Sequence, residues 1–252
     1  MNKIVRRRER LIKFYDFMWS QSEEFQKKWN PWDLQRECVS YAYFLIGDIS
    51  QKRLLEIGPG RGFEAVNFVR RNAKVFCIDI SVKSLEITRQ LDSRPILLKM
   101  DVQRMGFKTN VFDIIYANNL LMNIDLHQTM KEISRVLKPT GVAVFVEPLK
   151  NHPIALAFRK TFHIAKNMNP KYISYEDLDI IETFFQENKH KEFDFLSGSV
   201  FPFYKFGPKW KIFSYLLAYL RKLDSTFLKI FPGLNKYCWQ IVISAKNPSK
   251  NK

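Results

Sequence analysis

The sequence predicts an α/β fold: a single Rossmann-like, doubly wound, mostly parallel sheet with helices on both faces. Short apolar runs of strand length alternate along the chain with stretches whose apolar positions fall at helical spacing. Most of these runs end in an acid or an amide. The first of them, Leu54-Leu55-Glu56-Ile57, enters Gly58-Pro59-Gly60-Arg61-Gly62, with glycine at every second position. Glycine permits a sharp backbone turn and close approach of a ligand. A strand-to-helix turn built around a small molecule is therefore expected here.

The remaining elements follow in order. Lys74–Ile80 is a second apolar run closed by Asp79, about twenty residues after the glycines, where an α/β fold sets a carboxylate against ribose hydroxyls. Ile96–Met100 leads to Asp101-Val102, and Val111–Ala117 leads to Asn118-Asn119. A helix over Thr129–Leu137 is stopped by Pro139-Thr140-Gly141, and Val142–Val146 is a fifth strand ending at Glu147-Pro148. Ligands in such sheets bind beyond the carboxyl ends of the strands. Glu56, Asp79, Asp101, Asn118 and Glu147 should gather along that edge. The dinucleotide fingerprint is excluded, because it wants Gly or Ala where this chain has Phe63.

Three parts are expected: an N-terminal helical cap (1–50), a cofactor half (51–150) and a substrate half (151–252), the last two forming one domain. The cap is aromatic-rich, breaks at Asn30-Pro31, and continues as a helix capped by Asp33 and ended by Gly47. In the substrate half, Glu192–Val200 and Tyr237–Ala245 are predicted strands. Between them, a helical insertion over about 205–235 is opened by Pro208 and carries Phe213, Leu216, Leu217, Leu220, Leu223, Phe227 and Phe231 on one face.

Composition narrows the class. A hydrophobic content of 46% in 252 residues suits one α/β domain with an insertion and excludes wholesale disorder. Cys38, Cys77 and Cys238 are odd in number and far apart, and the four histidines show no metal-ligand spacing with them, so neither a disulfide framework nor a metal site is signalled. Arg6-Arg7-Arg8 interrupts any early apolar run, and the longest apolar stretch, Ile212–Leu220, falls short of the ~20 residues of a spanning helix. A cytoplasmic enzyme domain is expected, with peripheral contact at the inner face of a membrane as the variant reading. The net charge is +16, and residues 151–252 carry +8 of it. Such a surface attracts phosphates of nucleic acid or anionic lipid, although a generally lysine-rich composition accounts for it equally well.

The Glu-x-Gly-x-Gly-x-Gly turn, Asp79, Asp101-Val102, Phe112-Asp113-Ile114-Ile115-Tyr116-Ala117 and the segment from Glu132 to Gly141 together resemble the class I S-adenosylmethionine-dependent methyltransferases over residues 50–150. Residues 147–162, with Glu147-Pro148-Leu149 and Asn151-His152-Pro153 after strand five, resemble an uncharacterised bacterial branch of the type 11 methyltransferases. The resemblance implies a seven-stranded sheet with an antiparallel strand near the end, and S-adenosylmethionine as cofactor, with S-adenosylhomocysteine as product. It places Glu56, Gly58, Pro59, Gly60 and Gly62 at the methionine and ribose, Asp79 on the ribose hydroxyls and Ile80 on the adenine. Asp101 would accept from the adenine amino group with Val102 beside the ring, and Asn118 would serve the methionyl end. Two departures stand out: Thr140 replaces a usual glycine, and Asn119–Asn123 lacks the histidine of many relatives.

The implied reaction is in-line methyl transfer to a small-molecule or lipid-linked acceptor. A base is needed only if the acceptor must lose a proton. Glu147 and His152, just past strand five, are the preferred candidates, against a capping carboxylate and a solvated loop histidine. His163 is a third choice, and His127 and His190 are expected on exposed helix faces. The basic, aromatic insertion reads as a lid or core element before a membrane-surface element, because an apolar helix face usually finds protein. Two rival functions are an RNA methyltransferase, which the charge permits but which lacks an Asn/Asp-Pro-Pro-Tyr motif, and a non-catalytic cofactor-binding module.

Overall fold

The computed structural model describes residues 3–21, 32–161, 170–206 and 211–249. Helices α1 (Lys3–Ser20) and α2 (Trp32–Ile46) precede β1 (Arg53–Ile57), α3 (Phe63–Arg70), β2 (Lys74–Asp79), α4 (Val82–Leu91) and β3 (Ile96–Lys99). Then come β4 (Phe112–Asn118), α5 (Leu126–Val136), β5 (Leu137–Pro148), α6 (Pro153–Thr161), α7 (Glu176–Phe184), β6 (Phe185–Phe193), α8 (Lys211–Ile230) and β7 (Gln240–Pro248). The strands form one seven-stranded sheet in the order β3-β2-β1-β4-β5-β7-β6. Neighbours from β3 to β5 are parallel, and β7 runs antiparallel to both β5 and β6. The strand order reverses between β1 and β4, which opens a crevice at their carboxyl ends.

The period of two in each strand sorts side chains into two cores. Leu55, Ile115, Ala143 and Phe145 point to one face, where they meet Met130 and Ile133 of α5 and Ile181 and Phe184 of α7. Leu54, Ile114, Tyr116 and Val144 point to the other, against Cys38 and Ala42 of α2 and Ala65 and Phe68 of α3. Burial on both faces explains why these strands read as unbroken apolar runs. The expected N-terminal cap therefore divides: α2 is a layer of the core, and only α1 lies over the strand ends. Asp33 falls within the first turn of α2, so it does not precede the helix. Asn30-Pro31, Pro208 and His163 lie outside the described residues.

The structure departs from expectation in three places. The strand expected at Glu192–Val200 is β6, Phe185–Phe193. Asp194 adopts a left-handed conformation (φ 64°) that turns the chain out of the sheet. Asp224 of α8 then accepts hydrogen bonds from Leu196 N (2.7 Å), Ser197 N (3.1 Å) and Ser197 Oγ (2.6 Å), seeding a 3-10 segment, Ser197–Phe206. His190 consequently sits on β6, beside Glu192 (2.6 Å), and not on a helix. Pro139-Thr140-Gly141 lies within β5, where the register against β4 jumps, so helix α5 passes directly into strand. On α8, Leu217 is buried, whereas Leu216 and Leu223 are exposed, as is Phe231 just beyond its end, so the predicted apolar face is only partly used.

The glycine turn joins β1 to α3 through three left-handed residues, Gly58 (φ 72°), Gly60 (φ 55°) and Gly62 (φ 75°). A Cβ on Gly62 would lie 2.8 Å from Thr88 Cα and 2.7 Å from Thr88 Oγ1 of α4. Gly62 thus sets the close approach of α3 to α4. Gly62→Ala should lose about 1–3 kcal/mol from backbone conformation alone, plus the cost of parting the helices. Gly47→Ala has the same backbone strain (φ 71°) but open space around its Cβ. Chemical denaturation of the two variants should rank Gly62→Ala as the more destabilised.

Candidate active site

A cavity of about 310 Å³ lies at the carboxyl ends of β1, β2 and β4. Its floor is Glu56, Gly58, Pro59 and Gly60 at the end of β1, Asp79 and Ile80 at the end of β2, and Asn118 and Asn119 at the end of β4. One wall is Glu64 at the start of α3, with Arg61 and Gln35; another is Leu120, Met122, Asn123 and Ile124. Helix α1 roofs it with Leu11, Tyr15, Met18 and Trp19.

The roof is fastened by polar contacts. Arg8 Nε lies 3.1 Å from Asp101 Oδ2, Ser81 Oγ donates to Asp16 Oδ1 (2.6 Å), and Asn123 Nδ2 donates to the Tyr15 hydroxyl (2.8 Å). A Cβ on Gly60 would sit 3.1 Å from the Trp19 ring, so the indole rests directly on the turn. Burial, helped by the charges of Asp79 and Glu147, raises the Tyr15 pKa, keeping its hydroxyl protonated.

Three carboxyls converge on the cavity with little to neutralise them. Burial raises Glu56 to about 8 against the opposing hydrogen bond from the Cys77 thiol, and raises Glu64 to about 7. Asp79 is also raised by burial, although it accepts from Ser81 N (2.9 Å). Glu64 Oε2 and Asn118 Nδ2 are buried without a hydrogen-bond partner. Unpartnered buried polar atoms are costly and call for an explanation. A cationic ligand with hydroxyl groups and acceptor atoms would supply what this set lacks, which is the chemistry of S-adenosylmethionine.

Of the predicted cofactor residues, Glu56, Gly58, Pro59, Gly60, Asp79, Ile80 and Asn118 come together on this lining. Gly62 is committed to the contact with Thr88. Asp101 is engaged by Arg8 and Gln103 N (2.9 Å), and Val102 is buried in the core. Sequence reasoning missed Tyr15, Trp19, Gln35 and Glu64. Only Glu64 carried a usable signal, as an acid in the first turn of the helix after the glycines.

Neither predicted base lines the cavity. Glu147 is fully buried, and its Oε1 accepts from Leu120 N (2.7 Å) and Leu121 N (2.8 Å), holding the loop that forms a cavity wall. Burial raises its pKa to about 8, opposed by those backbone hydrogen bonds. His152 is buried, not solvated: Nε2 meets Phe195 O (2.9 Å), and Nδ1 accepts from Ala155 N (3.1 Å) in the first turn of α6. Both ring nitrogens are used, and burial lowers the pKa. The histidine is thus a neutral capping group.

The crevice at the strand reversal, the glycine turn and the acids after β1 and β2, under a sheet with β7 inserted antiparallel, define the class I methyltransferase fold. Residues 55–145 match the methyltransferase domain family (Methyltransf_11), and that match supports a class I S-adenosylmethionine-dependent methyltransferase. A sterol 24-C-methyltransferase of Schizosaccharomyces pombe is 29% identical over 140 residues, 51% of this chain and 37% of that protein. A demethylmenaquinone methyltransferase of Chlorobaculum tepidum is 32% identical over 124 residues, 48% of this chain and 50% of that protein. The chain thus spans half or less of the length of these two relatives. In structure, the geranyl diphosphate C-methyltransferase of Streptomyces coelicolor superposes with TM-score 0.58 at 19% identity, covering 90% of this chain and 85% of that one.

Glu147→Ala strands two backbone N–H groups and should destabilise the protein by about 2–4 kcal/mol. Glu147→Gln keeps an acceptor and should cost far less. Because the folded pKa of Glu147 lies above the ordinary carboxylate value of 4.5, its contribution to stability is complete below about 4.5 and is lost as pH rises through about 8. Denaturation curves over that window should therefore fall less steeply with pH in Glu147→Gln than in the parent. Equal slopes would contradict the assignment.

Proposed function

We propose that the chain transfers a methyl group from S-adenosylmethionine to a small-molecule or lipid-linked acceptor by in-line displacement. The observation that carries this reading is the convergence of Glu56, Glu64 and Asp79 with the unpartnered Asn118 Nδ2 on one roofed cavity. Asp79 would accept from ribose hydroxyls, with Ile80 beside the adenine; that both line the cavity supports this. Glu56, Asn118 and the backbone at Gly58 and Gly60 would hold the methionyl end. In this reading Asp101 accepts from the adenine amino group, which requires its bond to Arg8 to be exchanged. When bound, S-adenosylmethionine supplies a methyl group already activated on a positively charged sulfur.

The protein's part is orientation and exclusion of water. Glu147 acts as a positioning residue through Leu120 and Leu121, and His152 through the start of α6. Leu120, Met122 and Ile124 with Met18 and Trp19 give the cavity an apolar side. That lining, and the sterol and demethylmenaquinone methyltransferases among the relatives, support an apolar acceptor.

Calorimetry tests the reading. S-adenosylmethionine and S-adenosylhomocysteine should both bind, and Asp79→Ala should weaken both by at least about tenfold, the loss of a charged hydrogen-bond acceptor. Failure of both ligands to bind the parent protein would refute it. In the free site Glu56, at about 8, is largely protonated at pH 7, whereas a cation favours the ionised form. Binding should therefore release protons, and affinity should rise with pH up to about 8. The apparent binding enthalpy should accordingly vary with the ionisation heat of the buffer.

A further inference from the structure

Helix α8 has two faces. Inward, Leu217 and Asp224 are buried, Leu217 against Phe201. Outward, Tyr215 is 74% exposed, Tyr219 61%, Leu223 39% and Ile230 62%. At ~100° per residue these four, with the exposed Leu216, fall in an arc of about 100° that runs the length of the helix. Single exposed apolar side chains are ordinary, but a continuous stripe of large ones marks a contact surface. Lys222 and Lys229 are also exposed and adjoin Tyr215 within about 40° on the same projection. The one carboxylate of the helix, Asp224, is turned inward and spent on Leu196 and Ser197.

Charge selects the occupant. Residues 205–246 contain eight basic residues and one acidic residue, Asp224, in a chain of net charge +16. A second copy would set lysines against lysines. Nucleic acid would answer the lysines but not a stripe containing Leu216, Leu223 and Ile230. An anionic bilayer answers both, with headgroups for the lysines and the acyl boundary for the stripe. Among the described residues no helix is long and apolar enough to cross a membrane, and α8 carries Arg221, Lys222, Asp224 and Lys229. Such a helix lies on a bilayer and does not span it.

We propose that the outer face of α8 docks the protein on anionic membrane surfaces, independently of the methyl-transfer reading. Flotation with phosphatidylcholine vesicles, with and without phosphatidylglycerol, tests it. The protein should float with the anionic vesicles only, and less as salt rises. Tyr215→Ser/Tyr219→Ser/Ile230→Ser should abolish flotation, and Lys222→Gln/Lys229→Gln should weaken it about fivefold per lysine. None of these residues lines the cavity, so calorimetry with S-adenosylhomocysteine and thermal melting check that each variant is folded. If the triple variant fails that check, the surface-lysine variant still decides. Flotation with neutral vesicles alone, or flotation unchanged in a folded variant, would overturn the proposal. It would also be overturned by self-association lost in the variants, or by RNA retention through the same lysines without vesicle binding.

Discussion

The site depends on a backbone turn closed to ordinary side chains. Between β1 and α3 the chain takes three left-handed residues at alternate positions, Gly58, Gly60 and Gly62, and each does different work. Gly58 and Gly60 keep the cavity floor bare of side chains, and Gly60 also receives the Trp19 indole. Gly62 lets α3 settle against Thr88 of α4. Because α3 is fixed that way, Glu64 in its first turn lines the cavity together with Glu56 and Asp79. One local conformation thereby sets the packing of two helices and the charge of the site.

Burying carboxyls around a cavity is unfavourable, and the fold offsets it only in part. Cys77 donates to Glu56 (3.8 Å) and Ser81 N to Asp79, but Glu64 Oε2 has no hydrogen-bond partner. These three carboxyls gather on the crevice, as expected where binding energy is to be drawn from a positively charged ligand. Glu147 is equally buried and differs in one oxygen: its Oε1 accepts from the backbone N–H groups of Leu120 and Leu121 and holds that loop, while its Oε2, like that of Glu64, has no hydrogen-bond partner.

The sheet was legible in the sequence wherever both its faces are covered. Leu54–Ile57, Lys74–Asp79, Ile114–Ala117 and Val142–Val146 read as apolar runs because no alternate position faces water. Strand β6 was not legible: at the sheet edge Gln186, Glu187, Lys189 and His190 are exposed, and nothing in Gln-Glu-Asn-Lys-His-Lys-Glu distinguishes an edge strand from a loop. The floor of the cavity was legible because glycines and strand-end acids are local signals. Its roof was legible only as an aromatic N-terminal cap; which of its side chains reach the cavity, Tyr15 and Trp19 among them, no local pattern records. His152 looked like a loop residue because its partners, Phe195 O and Ala155 N, are set by tertiary packing.

The fastening of α1 links the roof to whatever the site holds. Asp101 can serve the guanidinium of Arg8 or an incoming adenine, but a single carboxylate cannot fully satisfy both. Under the proposed reading, strengthening the latch subtracts from ligand affinity, and weakening it adds to affinity at the expense of closure. Admission of the donor and release of the spent product then share one barrier, the lifting of an eighteen-residue helix, Lys3–Ser20, from its polar anchors.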